Sequence, residues 1–126
     1  MTTLAVIKDE HSGRPVPIIW RNTLTEMAEA LKNGDCALMA TIEGVNPVST
    51  HDAQAAADYI RDYGCQLISL PDTTWTTSFY QWQGCYWDVI VDLYTEEEGC
   101  SDMVMQVKIQ EDALKYRFEF HMVYVP

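Results

Sequence analysis

Asp88 and Asp92 stand four residues apart in Trp87-Asp88-Val89-Ile90-Val91-Asp92-Leu93-Tyr94, and Glu96, Glu97, Glu98 and Asp102 crowd around Gly99 just beyond them. Such carboxylates can share a proton, bind a cation or meet a basic surface, and spacing decides among these. On a strand Asp88 and Asp92 share a face about 13 Å apart. Acids flanking a glycosidic bond stand about 5 to 9.5 Å apart, which disfavours a paired-carboxylate hydrolase. Hard cations take oxygen ligands, but the acids around Gly99 lack the alternating Asp/Asn series and distant Glu of a calcium loop. A solvated hairpin tip or an acidic patch for a protein partner is expected there, and no metal or cofactor.

His121 alternates with apolar neighbours and falls near Asp92 in the expected sheet register. A Cys or Ser beside it would resemble a hydrolytic constellation. The chain has no G-x-S-x-G elbow, H-E-x-x-H helix, phosphate-binding glycine loop or dinucleotide fingerprint, so no catalytic residue is assigned. A structural histidine is the plainer reading. The competing expectation is a small enzyme using His121 with Asp92, Asp88 or Cys85. Cys36, Cys65, Cys85 and Cys100 form no C-x-x-C pair and have no paired histidines, which favours reduced thiols over a zinc site.

Trp75, Tyr80, Trp82, Tyr86 and Trp87 crowd one hairpin, and alternation cannot bury them all on one side. Trp and Tyr are frequent interface anchors. Trp82 and Tyr86 therefore join Asp88, Asp92, Glu96, Glu97, Glu98 and Asp102 as the expected partner-binding residues, an aromatic hairpin beside an acidic tip.

Nineteen acidic residues against eight basic ones give a net charge of -11. That repels a polyphosphate backbone and excludes direct nucleic-acid binding, while it attracts a basic protein. The first residues lack a basic leader followed by a long apolar stretch, and no apolar run reaches the roughly 18 residues that span a bilayer. A soluble, cytoplasmic protein without membrane contact is expected.

The 126 residues suit one domain, mainly helical over 1–64 and a β-meander over 65–126. A short strand is expected over 3–8 and a connector over 9–17. Trp20, Leu24, Met27, Ala28 and Leu31 recur at helical steps before Gly34, and Ser49 or Thr50 caps a second helix with Ala53, Ala56, Ala57 and Ile60 on one side before Gly64. Between them, 35–48 reads as an ordered loop. From Cys65 onward the period becomes two, with strands over 65–70, 75–82 and 85–94, a two-residue Gln83-Gly84 turn, and two further strands carrying Met103 to Ile109 and Tyr116 to Tyr124. The fold class is α+β, two helices on one face of a four- to five-stranded antiparallel meander.

Matching apolar faces sets Tyr80 opposite Trp87, Trp87 opposite Ile109, Val91 opposite Met105, and Met105 opposite Phe120. This register puts Asp88, Lys108 and Arg117 in one row away from the core, with Gln106 and Glu119 beside it, a cross-strand charge ladder rather than a reaction centre. An exposed patch around Ile90, Val104 and Val123 would make a homodimer possible.

The stretches Arg14-Pro15-Val16-Pro17-Ile18-Ile19-Trp20-Arg21, Trp87 to Gly99, and Tyr116-Arg117-Phe118-Glu119-Phe120-His121-Met122-Val123-Tyr124-Val125-Pro126 resemble a family of short standalone bacterial proteins of unknown function. The resemblance implies a complete protein ending at Pro126, and no activity. By size and charge alone the chain also looks like the immunity proteins that neutralise bacterial toxins such as nucleases, a likeness that transfers no residue.

Overall fold

The computed structural model describes residues 6–34 and 41–126. Among them are two α-helices and one five-stranded antiparallel sheet, an α+β fold. The strands are β1 (Arg14–Pro15), β2 (Phe79–Trp82), β3 (Trp87–Thr95), β4 (Gly99–Asp112) and β5 (Lys115–Tyr124), and the helices α1 (Ile18–Lys32) and α2 (Thr50–Tyr63). The sheet order β1-β2-β3-β4-β5 follows the chain.

Pro17 precedes the first turn of α1 in an extended conformation, and the stripe Trp20, Leu24, Met27, Ala28 and Leu31 is buried as its spacing requires. Ser49 caps α2, its hydroxyl accepting from the Asp52 amide at 3.1 Å. Gly64 stops that helix at φ 78°, a conformation that glycine adopts without steric cost. Ala56 is buried and Ala53 and Ile60 half-buried, whereas Ala57 turns to solvent, so the apolar side of α2 is narrower than expected.

The core lies between α1 and the sheet face made by Tyr80, Trp87, Val89, Val91, Leu93, Met103, Met105, Val107, Ile109, Phe118 and Phe120. Trp20 stands at its centre, fully buried, edge-on to Tyr80, Trp87 and Tyr116 with ring centroids 5.3 to 5.6 Å away. Its indole N–H has no oxygen or nitrogen partner among the described residues. The surrounding rings are the surfaces left for it to meet.

Several expectations are corrected. Residues 6–8 form no strand, and residues 3–5 lie outside the described chain, as do 35–40 of the expected loop, including Cys36. Two residues of the expected connector, Arg14 and Pro15, pair with β2. The hairpin turn spans Gln83 to Tyr86, closed by the Gln83 amide on the Tyr86 carbonyl at 2.8 Å, so Trp82 opposes Trp87 and Tyr80 opposes Val89. The two-residue slip preserves which side chains face the core.

The strand expected over 75–82 is shortened because Asp72–Thr76 winds into a 3-10 turn after Pro71. The expected strand over 65–70 contributes one bridge, Leu67 to Thr95. Together these segments close the edge of β3 that β2 leaves open. Ile68 donates to the Tyr94 carbonyl at 3.0 Å, the Thr74 hydroxyl to the Asp92 carbonyl at 2.7 Å, and the Asp92 amide to the Ser78 hydroxyl at 2.9 Å. An unpaired edge invites intermolecular pairing, and here hydroxyls and a turn stand where a neighbouring strand would.

The expected pairs Trp87 with Ile109 and Val91 with Met105 are present. On β5, however, Gln106 opposes Met122 and Val107 opposes Phe120, which leaves His121 as the extra residue of a bulge. With the two-residue difference set at the β4–β5 turn, the bulge brings Val123 opposite Met105 instead of Phe120, turns Val123 into the core and turns Met122 out to 42% exposure. Val104 is buried as well, so the exposed patch expected around Ile90, Val104 and Val123 does not form.

Candidate functional site

The sheet face opposite α1 is organised in rows across the strands. One row is Gln81, Asp88, Lys108 and Glu119; the next is Phe79, Ile90, Gln106 and Met122; the third is Asp92, Val104 and Tyr124. Phe79 and Met122 are 41% and 42% exposed, and Ile90 is half-buried between them. The face therefore has an apolar centre with carboxylates on both sides.

The β4–β5 turn sets Asp112 opposite Lys115, two residues away from the expected register, and this changes the charge row. Lys108 stands between Asp88 and Glu119, and Arg117 moves one row on, opposite Gln110, where Asp112 takes it in a two-pronged contact at 2.8 and 3.1 Å and Asn46 accepts from it at 2.9 Å. Lys108 also lies 5.0 Å over the Tyr86 ring. Both carboxylate oxygens of Asp88 accept from the Gln106 side-chain nitrogen, at 2.8 and 3.0 Å. Asp92 accepts from the Thr77 hydroxyl, which ties it to the 3-10 turn.

The acids around Gly99 are not a free tip. Glu97 receives the Gln66 amide on both oxygens at 3.2 and 3.1 Å, and Glu98 receives the Tyr63 hydroxyl at 2.6 Å. Asp102 reaches the same phenol through its backbone amide. These contacts hold the turn against the end of α2, while the Glu96 amide donates to the Gln66 carbonyl at 2.9 Å. The Tyr63 phenol is pushed above its ordinary value, first by the proton it gives to Glu98.

Trp82 and Tyr86 sit at the other end of β3 from Glu96, Glu97 and Glu98. The nine residues of β3 separate them by about 27 Å at roughly 3.3 Å per residue. The aromatic hairpin is therefore not beside the acidic tip. Asp88 and Asp92 lie between the two, on the open face. The residues that sequence reasoning missed are Phe79 and Met122, while Glu119, expected on this face beside Gln106, stands instead in the row of Asp88 and Lys108. Phe79 follows from alternation alone, but Met122 needed the bulge, for which His121 gives no signal.

His121 lines a hollow of about 330 Å³ with His51, Asp52, Tyr59 and Met122, between α2 and β5. Asp92 lies in the row of Tyr124, two strands away, so the expected His121–Asp92 couple does not form. Asp88 is likewise two strands off, about 10 Å by strand spacing, and Cys85 is in the β2–β3 turn. Among the described residues no three His, Cys, Asp or Glu side chains are placed to hold a metal. No helix among them is long and apolar enough to cross a membrane.

A family model described as "Domain of unknown function (DUF7668)" matches residues 28–126. The chain belongs to the DUF7668 family. The match covers α2, all of β2 to β5 and every residue of the open face, and leaves out residues 6–27, which hold β1 and the first part of α1. Comparison with curated proteins and with solved structures returned no match.

Proposed function

We propose that this chain is a non-enzymatic binding protein that meets a basic protein partner with the open face of its sheet, acting in the cytoplasm as an immunity protein that covers the cationic surface of a toxin such as a nuclease. The observation that carries the reading is the composition of that face: Asp88, Asp92 and Glu119 around half-exposed Phe79, Ile90 and Met122, with Lys108 the one cation in those rows. An apolar centre within a polar margin is the usual anatomy of an interface. The net charge of -11 steers a cationic partner toward it. A second copy of the chain is a poorer occupant, because pairing the face with itself sets carboxylate against carboxylate.

The experiment is affinity capture from native lysate at low and moderate salt, then titration of the identified protein against wild type and the Asp88→Asn/Glu119→Gln double variant. The expected result is a basic protein whose toxic activity stops on binding and whose affinity falls about tenfold or more in the double variant, the size expected for interfacial charge pairs. Unchanged affinity would remove the open face from the reading. Binding without inhibition would remove the immunity role.

A further inference from the structure

The segment before β1 places Lys8 against the aromatic end of the sheet. Its ammonium lies 5.0 Å from the centroid of the Trp82 ring and 5.7 Å from that of Trp87, and 2.7 Å from a Glu111 oxygen. The two indoles lie 4.9 Å apart at 59°, and Tyr116 stands 5.8 Å from Trp87. Two ring faces within about 6 Å and a carboxylate in contact are what recognition of an alkylammonium requires: the rings attract the charge and the carboxylate takes an N–H.

The strap that carries Lys8 is fixed by other groups. Val6 is buried, the Ile7 carbonyl accepts from the Trp87 indole at 3.2 Å, and the Ile7 amide reaches the Tyr80 phenol. Asp9 accepts from the His11 amide and the Ser12 hydroxyl, both at 2.9 Å, and from Arg14 at 3.2 Å. The Lys8 side chain is itself half exposed, as is Glu111. Such a pair is held weakly and exchanges with solvent. Beside it Trp82, Glu111, Cys85, Gln110, Asp112 and Arg117 line a hollow of about 370 Å³, room for an incoming chain.

We infer that the corner formed by Trp82, Trp87 and Glu111 is a binding site for an alkylammonium group, that Lys8 fills it in the free protein, and that a lysine side chain of a protein partner takes its place. The site stands on its own geometry; its source of ammonium rests on the protein-binding reading above. A primary ammonium is favoured over a quaternary one, which has no N–H for Glu111. Because Lys8 must leave first, the apparent affinity for any outside ligand is reduced by the fraction of chains in which the site is free.

The test follows the indole N–H resonances of the isotopically labelled protein during titration with n-butylammonium chloride, with tetramethylammonium chloride and sodium chloride at equal ionic strength for comparison. In Lys8→Ala the Trp82 indole should shift saturably with butylammonium, roughly tenfold more tightly than in wild type. The shift should be weaker with tetramethylammonium, absent with sodium, and lost in Lys8→Ala/Glu111→Gln. That second variant alters an exposed carboxylate and keeps the aromatic packing. No saturable shift in Lys8→Ala, or equal shifts with all three salts, would overturn the site and leave Lys8 as a fastener of the segment. A capped Gly-Lys-Gly peptide should bind at least as well as butylammonium; binding of the amine without the peptide would overturn the protein source. Neither result bears on Asp88 and Glu119, so the open-face reading stands or falls separately.

Discussion

The phenol of Tyr63, on the last turn of α2, donates to Glu98 in the β3–β4 turn at 2.6 Å, and so joins the helix layer to the far end of the sheet. That bond needs the phenolic proton, and it makes folding sensitive to alkali. An unfolded tyrosine ionises near 10.0, and folding raises Tyr63 above this through Glu98, with burial doing the same to Tyr80 and Tyr116. Below pH 10.0 both states keep the proton and the contribution is complete. As pH rises past that value the unfolded chain releases protons that the folded one retains, and stability falls until the folded groups ionise. Thermal unfolding in buffers on either side of this value should show that decline. Tyr63→Phe should be less stable at neutral pH and lose less on the alkaline side. An unchanged alkaline slope would remove Tyr63 from the account.

Thr74 is fully buried, gives its hydroxyl proton to the Asp92 carbonyl at 2.7 Å, and lies 3.2 Å from the Ser78 hydroxyl. Thr74→Val keeps the shape and leaves that carbonyl without its donor, at a cost of about 1 to 3 kcal/mol. Denaturant unfolding should report a lower midpoint with an unchanged slope. Thr74→Ser, which retains the hydroxyl, should lose less.

Ala113, in the β4–β5 turn, has φ 57°, the one left-handed residue besides glycine among those described. A side chain in that region costs roughly 1 to 2 kcal/mol. Ala113→Gly relieves it but adds freedom to the unfolded chain, so a net gain of about 0.5 to 1 kcal/mol is expected, seen as a higher melting temperature. A lower melting temperature would mean that the turn carries no strain.

The elements most legible in the sequence were those whose pattern is local and periodic. The Trp20 to Leu31 stripe, the Ser49 cap, the Gly64 stop and the alternation of Trp87 to Leu93 each depend on residues a few positions apart, and each is present. The register of β3 on β4 is among those that matching their apolar faces allows, and Trp87 opposite Ile109 and Val91 opposite Met105 are present as expected. What was not legible depends on distant contacts. The bulge at His121 has no residue signature, and it turned Met122 out and Val123 in, while the β4–β5 turn, which sets Asp112 opposite Lys115, moved Arg117 out of the row of Asp88 and brought Glu119 in. The 3-10 turn over Asp72–Thr76 overrode the β-propensity of its threonines and Trp75 because β3 needed its carbonyls met. Glu97 and Glu98 read as solvated acids, since nothing in their own segment announces Gln66 or Tyr63. Lys8 gave no signal either, because its partners lie far along the chain.

The sheet order has a consequence for how the chain assembles. From β2 to β5 each strand pairs with the one just made, by a short turn, so little loop entropy opposes those steps. The segment before α1 is the exception: Ile7 meets Trp87 across 80 residues, and among the described residues β1 pairs only with β2. On the ribosome the strap thus emerges before every strand that it meets. Its contacts with Trp87 and Glu111 can close only after β3 and β4 have been made.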